Sequence, residues 1–187
     1  MHFKPLDIYE TLYFTPKDVR YISVCGGRAG GRSHNCSEYL TFKITQSQYF
    51  RGLIARAYYS DLKKTTWLEF IDRIHTTEGL NPDDFKINNT EKIIEYIPTG
   101  NTITGIGFRK SAGNRVASLK GFANVTDVLI EEAQELAENE LNQLDDSLRT
   151  IKAPIKIISA YNMPEKTHIL MRRFFDLNPV ELTDGNG

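Results

Sequence analysis

The chain has 187 residues, 40% of them hydrophobic and 25% charged, a length and balance suited to one globular domain with a substantial core. A formal net charge of −1 argues against nucleic-acid binding through a bulk basic excess, so any such contact has to be local, weak or shared among subunits. No apolar stretch approaches a membrane span, and Met1-His2-Phe3-Lys4-Pro5 lacks a signal peptide's apolar core, so a cytoplasmic protein is expected. Cys25 and Cys36 form neither a disulfide framework nor a metal-ligand pattern and are read as small packed residues.

In chain order, strand-like and helix-like periodicities alternate, which predicts an α/β domain with a mostly parallel sheet. Residues 21–25 form a β-prone run that stops at Gly26-Gly27, and a helix is expected over 32–45, with Cys36, Tyr39, Leu40 and Ile44 on one face. Residues 51–56 read as a second strand. Ser60 then caps a helix in which Leu62, Trp67, Phe70, Ile71 and Ile74 recur at helical spacing. Three short strand candidates at 85–87, 93–97 and 102–106, separated by turn-formers, predict an antiparallel insertion at one sheet edge. Val128-Leu129-Ile130 is a buried strand followed by an acidic helix to about Leu148. Residues 155–160 make the last strand, 166–175 a final helix, and Gly185-Asn186-Gly187 a frayed end.

Two segments carry chemistry. Gly26, Gly27, Arg28, Ala29, Gly30, Gly31, Arg32 and Ser33 fit G-x-x-x-x-G-[K/R]-S between a strand and a helix. Glycines let backbone N–H groups wrap a phosphate, and the helix start adds its positive dipole end. Ser33 places a hydroxyl on Mg²⁺, and the cation reaches the terminal phosphates. Arg32 stands where lysine is usual. It clamps phosphate oxygens or marks a weakened site, and Arg28 supplies a second cation. A plain glycine-rich turn is the alternative.

The second segment is the apolar run ending in Glu131-Glu132-Ala133. At the carboxyl end of a parallel strand, Glu131 holds Mg²⁺ and Glu132 polarises water. The plainer account is a strand running into an acidic helix start, which Glu135 and Glu138 also suit. Ser159-Ala160-Tyr161-Asn162-Met163-Pro164 ends the third apolar strand. Taken alone, it is a strand-ending turn.

The order of these motifs resembles the large terminase subunits of phages. Residues 21–33 resemble that family's Walker A segment, residues 53–56 its strand ending in arginine, 119–136 its Walker B region with Glu-Glu-Ala, and 157–164 its coupling motif, with Met163 interrupting Asn-Pro. The resemblance covers about Tyr21 to Phe175. It implies a P-loop NTPase of the additional-strand, catalytic-glutamate class, with a mostly parallel sheet flanked by helices. It also implies an ATPase that binds ATP and Mg²⁺ and powers packaging of double-stranded viral DNA into a procapsid. Residues 26–33 then bind triphosphate and metal, Glu131 helps hold the metal, Glu132 activates water and Asn162 couples hydrolysis to movement. Arg109 is the first candidate for an arginine finger given to a neighbouring subunit, and Arg115 the second, with surface ion pairing the plainer account of both. Further implications are a ring on the portal protein, a small terminase subunit as partner and action in the infected host's cytoplasm. The whole chain, 1–187, is then an ATPase domain expected to be incomplete at its C-terminal end, with no nuclease domain and no nuclease activity. Lys63-Lys64 and Arg172-Arg173 are open between DNA contact and solvated helix faces.

Two rivals stand beside this reading. One is another P-loop ATPase or kinase, although a kinase's arginine-rich lid does not follow Glu132. The other is a non-catalytic nucleotide-binding scaffold remnant, which Arg32 favours most.

Overall fold

Successive strand residues point to opposite faces of a sheet, and here both sets are apolar, so helices have to cover both sides. The computed structural model describes residues 6–27, 30–109 and 123–175. In it β1 (Tyr21–Cys25), β2 (Arg51–Tyr58), β3 (Phe85–Asn88), β4 (Ile93–Tyr96), β5 (Asn101–Arg109), β6 (Asp127–Glu131) and β7 (Lys156–Tyr161) form one sheet, ordered β1-β7-β6-β2-β5-β4-β3. β1, β7, β6, β2 and β5 run parallel to one another, and β4 and β3 are antiparallel additions.

The alternation sorts the core into two layers. Ile54, Leu129 and Ile158 face α2 (Arg32–Ile44) and α4 (Thr66–Thr76), packing with Leu40, Ile44, Trp67 and Phe70. Leu53, Val128, Ile130 and Ile157 face α5 (Glu138–Ser147) and α6 (Ile169–Phe174), packing with Leu141, Leu144 and Leu170. Each fully buried side chain of this size contributes about 1.5–3 kcal/mol, which makes the parallel strands a rigid platform for whatever stands at their ends.

Four features differ from the sequence expectation. β5 is nine residues long and parallel to β2, so it belongs to the platform and only β3 and β4 form the antiparallel edge. The helix after β2 starts at Tyr59, with Tyr58 as its N-cap, and Ser60 donates to the Asp61 carboxylate at 3.2 Å instead of capping. It breaks at Thr65 (φ −124°, ψ −82°) into α3 (Tyr59–Lys64) and α4. The acidic helix starts late: Glu132 is left-handed, a 3₁₀ turn covers Ala133–Glu135, and α5 opens only at Glu138. Cys36 is buried as expected, but Cys25 is half-buried at the end of β1. Among the described residues no helix is long and apolar enough to cross a membrane. Arg28, Ala29, Arg115 and the frayed end assigned to Gly185, Asn186 and Gly187 lie outside the described residues.

Candidate functional site

Parallel strands deliver their carboxyl ends to one side of a sheet, and the segments leaving β1, β6, β7 and β2 meet there. They surround a cavity of about 550 Å³ lined by Gly27, Gly30, Ser33, Arg56, Glu132 and Asn162, among others. Gly31, at φ +71°, turns the chain into α2, a conformation that disfavours any side chain. A Cβ at Gly26 or Gly27 would meet open space, so there is room beside the backbone for a ligand. The loop is braced from outside: the Tyr9 hydroxyl donates to the Gly30 carbonyl at 2.7 Å, and the Leu6 amide donates to Asn35 Oδ1 at 3.0 Å.

Arg32 is turned inward. Its Nη1 donates to the carbonyls of Gly26 (2.7 Å) and Tyr161 (2.6 Å) and to Asn162 Oδ1 (3.2 Å), while Nη2 stands 3.5 Å from Glu132 Oε1. One guanidinium thus ties the glycine loop to the end of β7 and to the acid after β6. Its Nε is buried without a hydrogen-bond partner among the described residues.

Glu131 and Glu132 are adjacent but lie in different environments. Glu131 ends β6 and is 3% exposed, and its Oε2 accepts from the Ser33 hydroxyl at 3.1 Å. Burial pushes its carboxyl up to about 7, against the pull of that hydroxyl in the other direction. Glu132 adopts φ 50°, ψ 49°, which costs a non-glycine residue about 1–2 kcal/mol, and this aims its side chain into the cavity. Glu132 Oε2 accepts from Asn162 Nδ2 at 3.3 Å and from Gln134 Nε2. Glu132 is therefore positioned from three sides, by Arg32, Asn162 and Gln134.

The donor set fits a hard cation. Ser33 and Glu131 offer oxygen only, and among the described residues no cluster of three or more His, Cys, Asp or Glu could hold a metal alone. Magnesium suits such a site because it keeps waters and draws most of its ligands from substrate phosphates.

The cavity also contains Arg56, the arginine of the 53–56 strand motif, and two residues to which the sequence reading gave no role, His34 and Gln134. Arg56 follows the apolar run of β2, its side chain 12% exposed, with Nη2 3.6 Å from Glu135 Oε2 and Nε buried and, among the described residues, without a hydrogen-bond partner. The signal in the sequence is an arginine after the apolar run Leu53-Ile54-Ala55, near the end of a strand beside the acidic one. His34 and Gln134 line the same space, and neither has a pattern of its own.

Arg109, expected as a finger for a neighbour, is engaged within its own subunit. It pairs bidentately with Glu140 and donates to the Tyr58 hydroxyl at 3.2 Å. It does not line the cavity, so its surroundings match the ion-pair account rather than a free finger. Arg172 pairs with Glu138 and Arg173 donates to Asn142, on a helix surface.

A family model described as phage terminase large subunit matches residues 19–185. The large terminase of bacteriophage HK97 superposes with a TM-score of 0.71 at 8% identity, covering 90% of this chain and 35% of that protein. The large terminase of a thermophilic bacteriophage gives 0.65 at 14% identity, covering 86% and 37%; it has also been solved with ATP-gamma-S and with ADP. The large terminase ATPase domain of Thermus phage P74-26 gives 0.61 at 16% identity, covering 87% and 67%. At these identities the likeness is one of fold. The chain spans about a third of the length of the first two of these proteins. No curated protein sequence matches it.

Proposed function

This chain belongs to the phage terminase large subunit family, and from that membership we propose that it hydrolyses ATP to power the packaging of double-stranded viral DNA into a procapsid. The observation that carries the proposal is Glu132, strained into the cavity and held at once by Arg32, Asn162 and Gln134. The nucleotide complexes of the thermophilic phage's large terminase support ATP as the ligand of the glycine loop.

In this reading residues 26–33 cradle the triphosphate, with backbone amides and the start of α2 directed at the phosphates. Ser33 and Glu131 hold Mg²⁺, which neutralises developing charge on the phosphates when bound. Glu132 accepts a proton from water as the water oxygen attacks the γ-phosphorus and the β–γ bridging bond breaks. Asn162 positions the Glu132 carboxylate, and because it also accepts from Arg32, loop and strand end move together. Arg56 supplies positive charge beside the cavity. The motor acts in the infected host's cytoplasm as a ring on the portal, with the small terminase subunit as partner. The assembly role draws support from a likeness to a chain of the phi-29 viral genome packaging motor, at a TM-score of 0.56 and 14% identity.

Hydrolysis of labelled ATP with Mg²⁺, compared between wild type and Glu132→Gln, tests the assignment. Equal rates would sink it. A second reading, a nucleotide-binding scaffold without turnover, is favoured by the inward turn of Arg32 onto two carbonyls. Arg32→Lys separates the two: a rise in turnover shows a loop impaired by its arginine, and a fall shows that the guanidinium takes part.

A further inference from the structure

The opposite end of the same sheet holds another cavity, of about 410 Å³. α2, β6 and β7 each run from one cavity to the other. α2 starts at Arg32 and Ser33 and carries Lys43 in its last turn, about 16 Å away at about 1.5 Å per residue. β6 begins with Asp127 and β7 with Lys156 on this side. Lys17, Lys43, Lys152 and Lys156 all line the space.

The charge balance here is one-sided. Among the described residues the one carboxylate in the lining is Asp127, 3% exposed, which accepts from the Tyr39 hydroxyl at 2.9 Å. Burial raises its pKa even with Lys43 and Lys156 nearby. None of the four lysines forms an ion pair among the described residues. Lys156 Nζ donates to the carbonyls of Thr15 (2.8 Å) and Pro16 (3.3 Å), while Lys43 and Lys152 lie over the rings of Phe50 and Tyr49. Lys17 and Lys152 are exposed at the rim and Lys43 and Lys156 sit deeper. The positive potential is therefore concentrated in a concave space, in a chain whose net charge is −1.

We propose that this cavity is a second phosphate-binding site, distinct from the glycine loop, that takes a phosphate ester, either in a nucleic-acid backbone or in a free nucleotide. Lysines act as compact point charges toward phosphate oxygens, and an exposed aromatic rim at Tyr49 offers a stacking surface for a base. The assignment does not depend on ATP hydrolysis.

The test uses the full chain and a Lys17→Glu/Lys152→Glu variant, with exposed Lys86 and Lys166 changed in Lys86→Glu/Lys166→Glu as a control carrying the same change in net charge elsewhere. Anisotropy of a fluorescent duplex and of a short single strand, at low and raised salt, reads the polymer arm. Amide shifts at Thr126 and Lys156 on adding thymidine monophosphate read the free-ester arm. Thermal melting and far-UV circular dichroism, unchanged in all variants, show that the fold is intact, and Lys17→Gln/Lys152→Gln replaces the reversal variant if it misfolds. Roughly tenfold weaker polymer binding in the cavity variant alone, with a smaller salt slope, supports the site and identifies a backbone as its ligand. Monophosphate shifts lost in that variant, with polymer binding unchanged, support the site with a free ester. If neither arm responds, or the control weakens binding as much, the proposal is overturned.

Discussion

Arg32 Nη2 and Glu132 Oε1 face each other at 3.5 Å, so the cation of the glycine loop restrains the carboxylate proposed to activate water. Removing that carboxylate's charge leaves the loop, the helix start and the cavity unchanged. Glu132→Gln is therefore expected to lower kcat by about 10²–10⁴-fold while nucleotide affinity moves little. Steady-state hydrolysis and fluorescent-nucleotide titration check this together. A large loss of affinity with little change in kcat would move Glu132 from catalysis to binding.

Arg32 also carries structural weight. Truncation in Arg32→Met leaves the carbonyls of Gly26 and Tyr161 without a charged donor at a site only 8% exposed. The expected loss of stability is about 1–3 kcal/mol, read by urea denaturation with an unchanged m-value. Arg32→Lys retains a charged donor and is expected to lose less.

Glu131 makes the nucleotide-free protein sensitive to pH. Burial raises its folded-state value to about 7, above the roughly 4.3 of an unfolded glutamate. Between these values the folded state binds the proton more tightly, so its contribution to stability is greatest at low pH and is lost as pH rises through about 7. Glu131→Gln abolishes this dependence. Its Tm relative to wild type, in the absence of metal, is expected to climb from pH 5 to pH 8, while hydrolysis is lost. A Tm difference independent of pH would contradict the assignment.

The pair between Arg109 and Glu140 predicts a structural phenotype. Glu140 is 5% exposed and also accepts from the Ala137 amide at 2.9 Å, closing the start of α5. Arg109→Ala removes a bidentate charged donor from a buried carboxylate and is expected to cost about 1–3 kcal/mol, read by thermal melting. A subunit-bridging finger would instead lose ATPase activity with melting unchanged.

Gly107 tests the position of β5 in the platform. A Cβ there would lie 2.3 Å from the Tyr59 backbone nitrogen, which cannot swing away as a flexible side chain does. Gly107→Ala is expected to destabilise by about 3 kcal/mol, read by thermal melting, because α3 has to lift off the strand.

Local signals explain which parts of the fold were legible in the sequence. β1, the glycine loop and α2 follow one another within 24 residues, and each is marked by its own residues: a β-prone run, glycines, then apolar positions at helical spacing. The β6 run ending in Glu131 is equally local. The Thr65 break and the late start of α5 were not legible, because both depend on packing. α3 lies against Gly107, and Glu132 sacrifices helical geometry to point at Arg32 and Asn162. The same holds for β5, since its pairing partner, β2, lies far back along the chain.

The sequence by itself determined the α/β class, the family and the residues of the glycine loop and the acidic pair, because periodicity and motif spacing are properties of neighbouring residues. Tertiary structure alone decided where the charges go. It turned Arg32 inward onto two carbonyls, brought Arg56 to the cavity, paired Arg109 with Glu140 and gathered four lysines from distant segments at the far end of the sheet. A charge's role depends on its distance to other charges and on its burial, and both are set only when the strands take their order in the sheet.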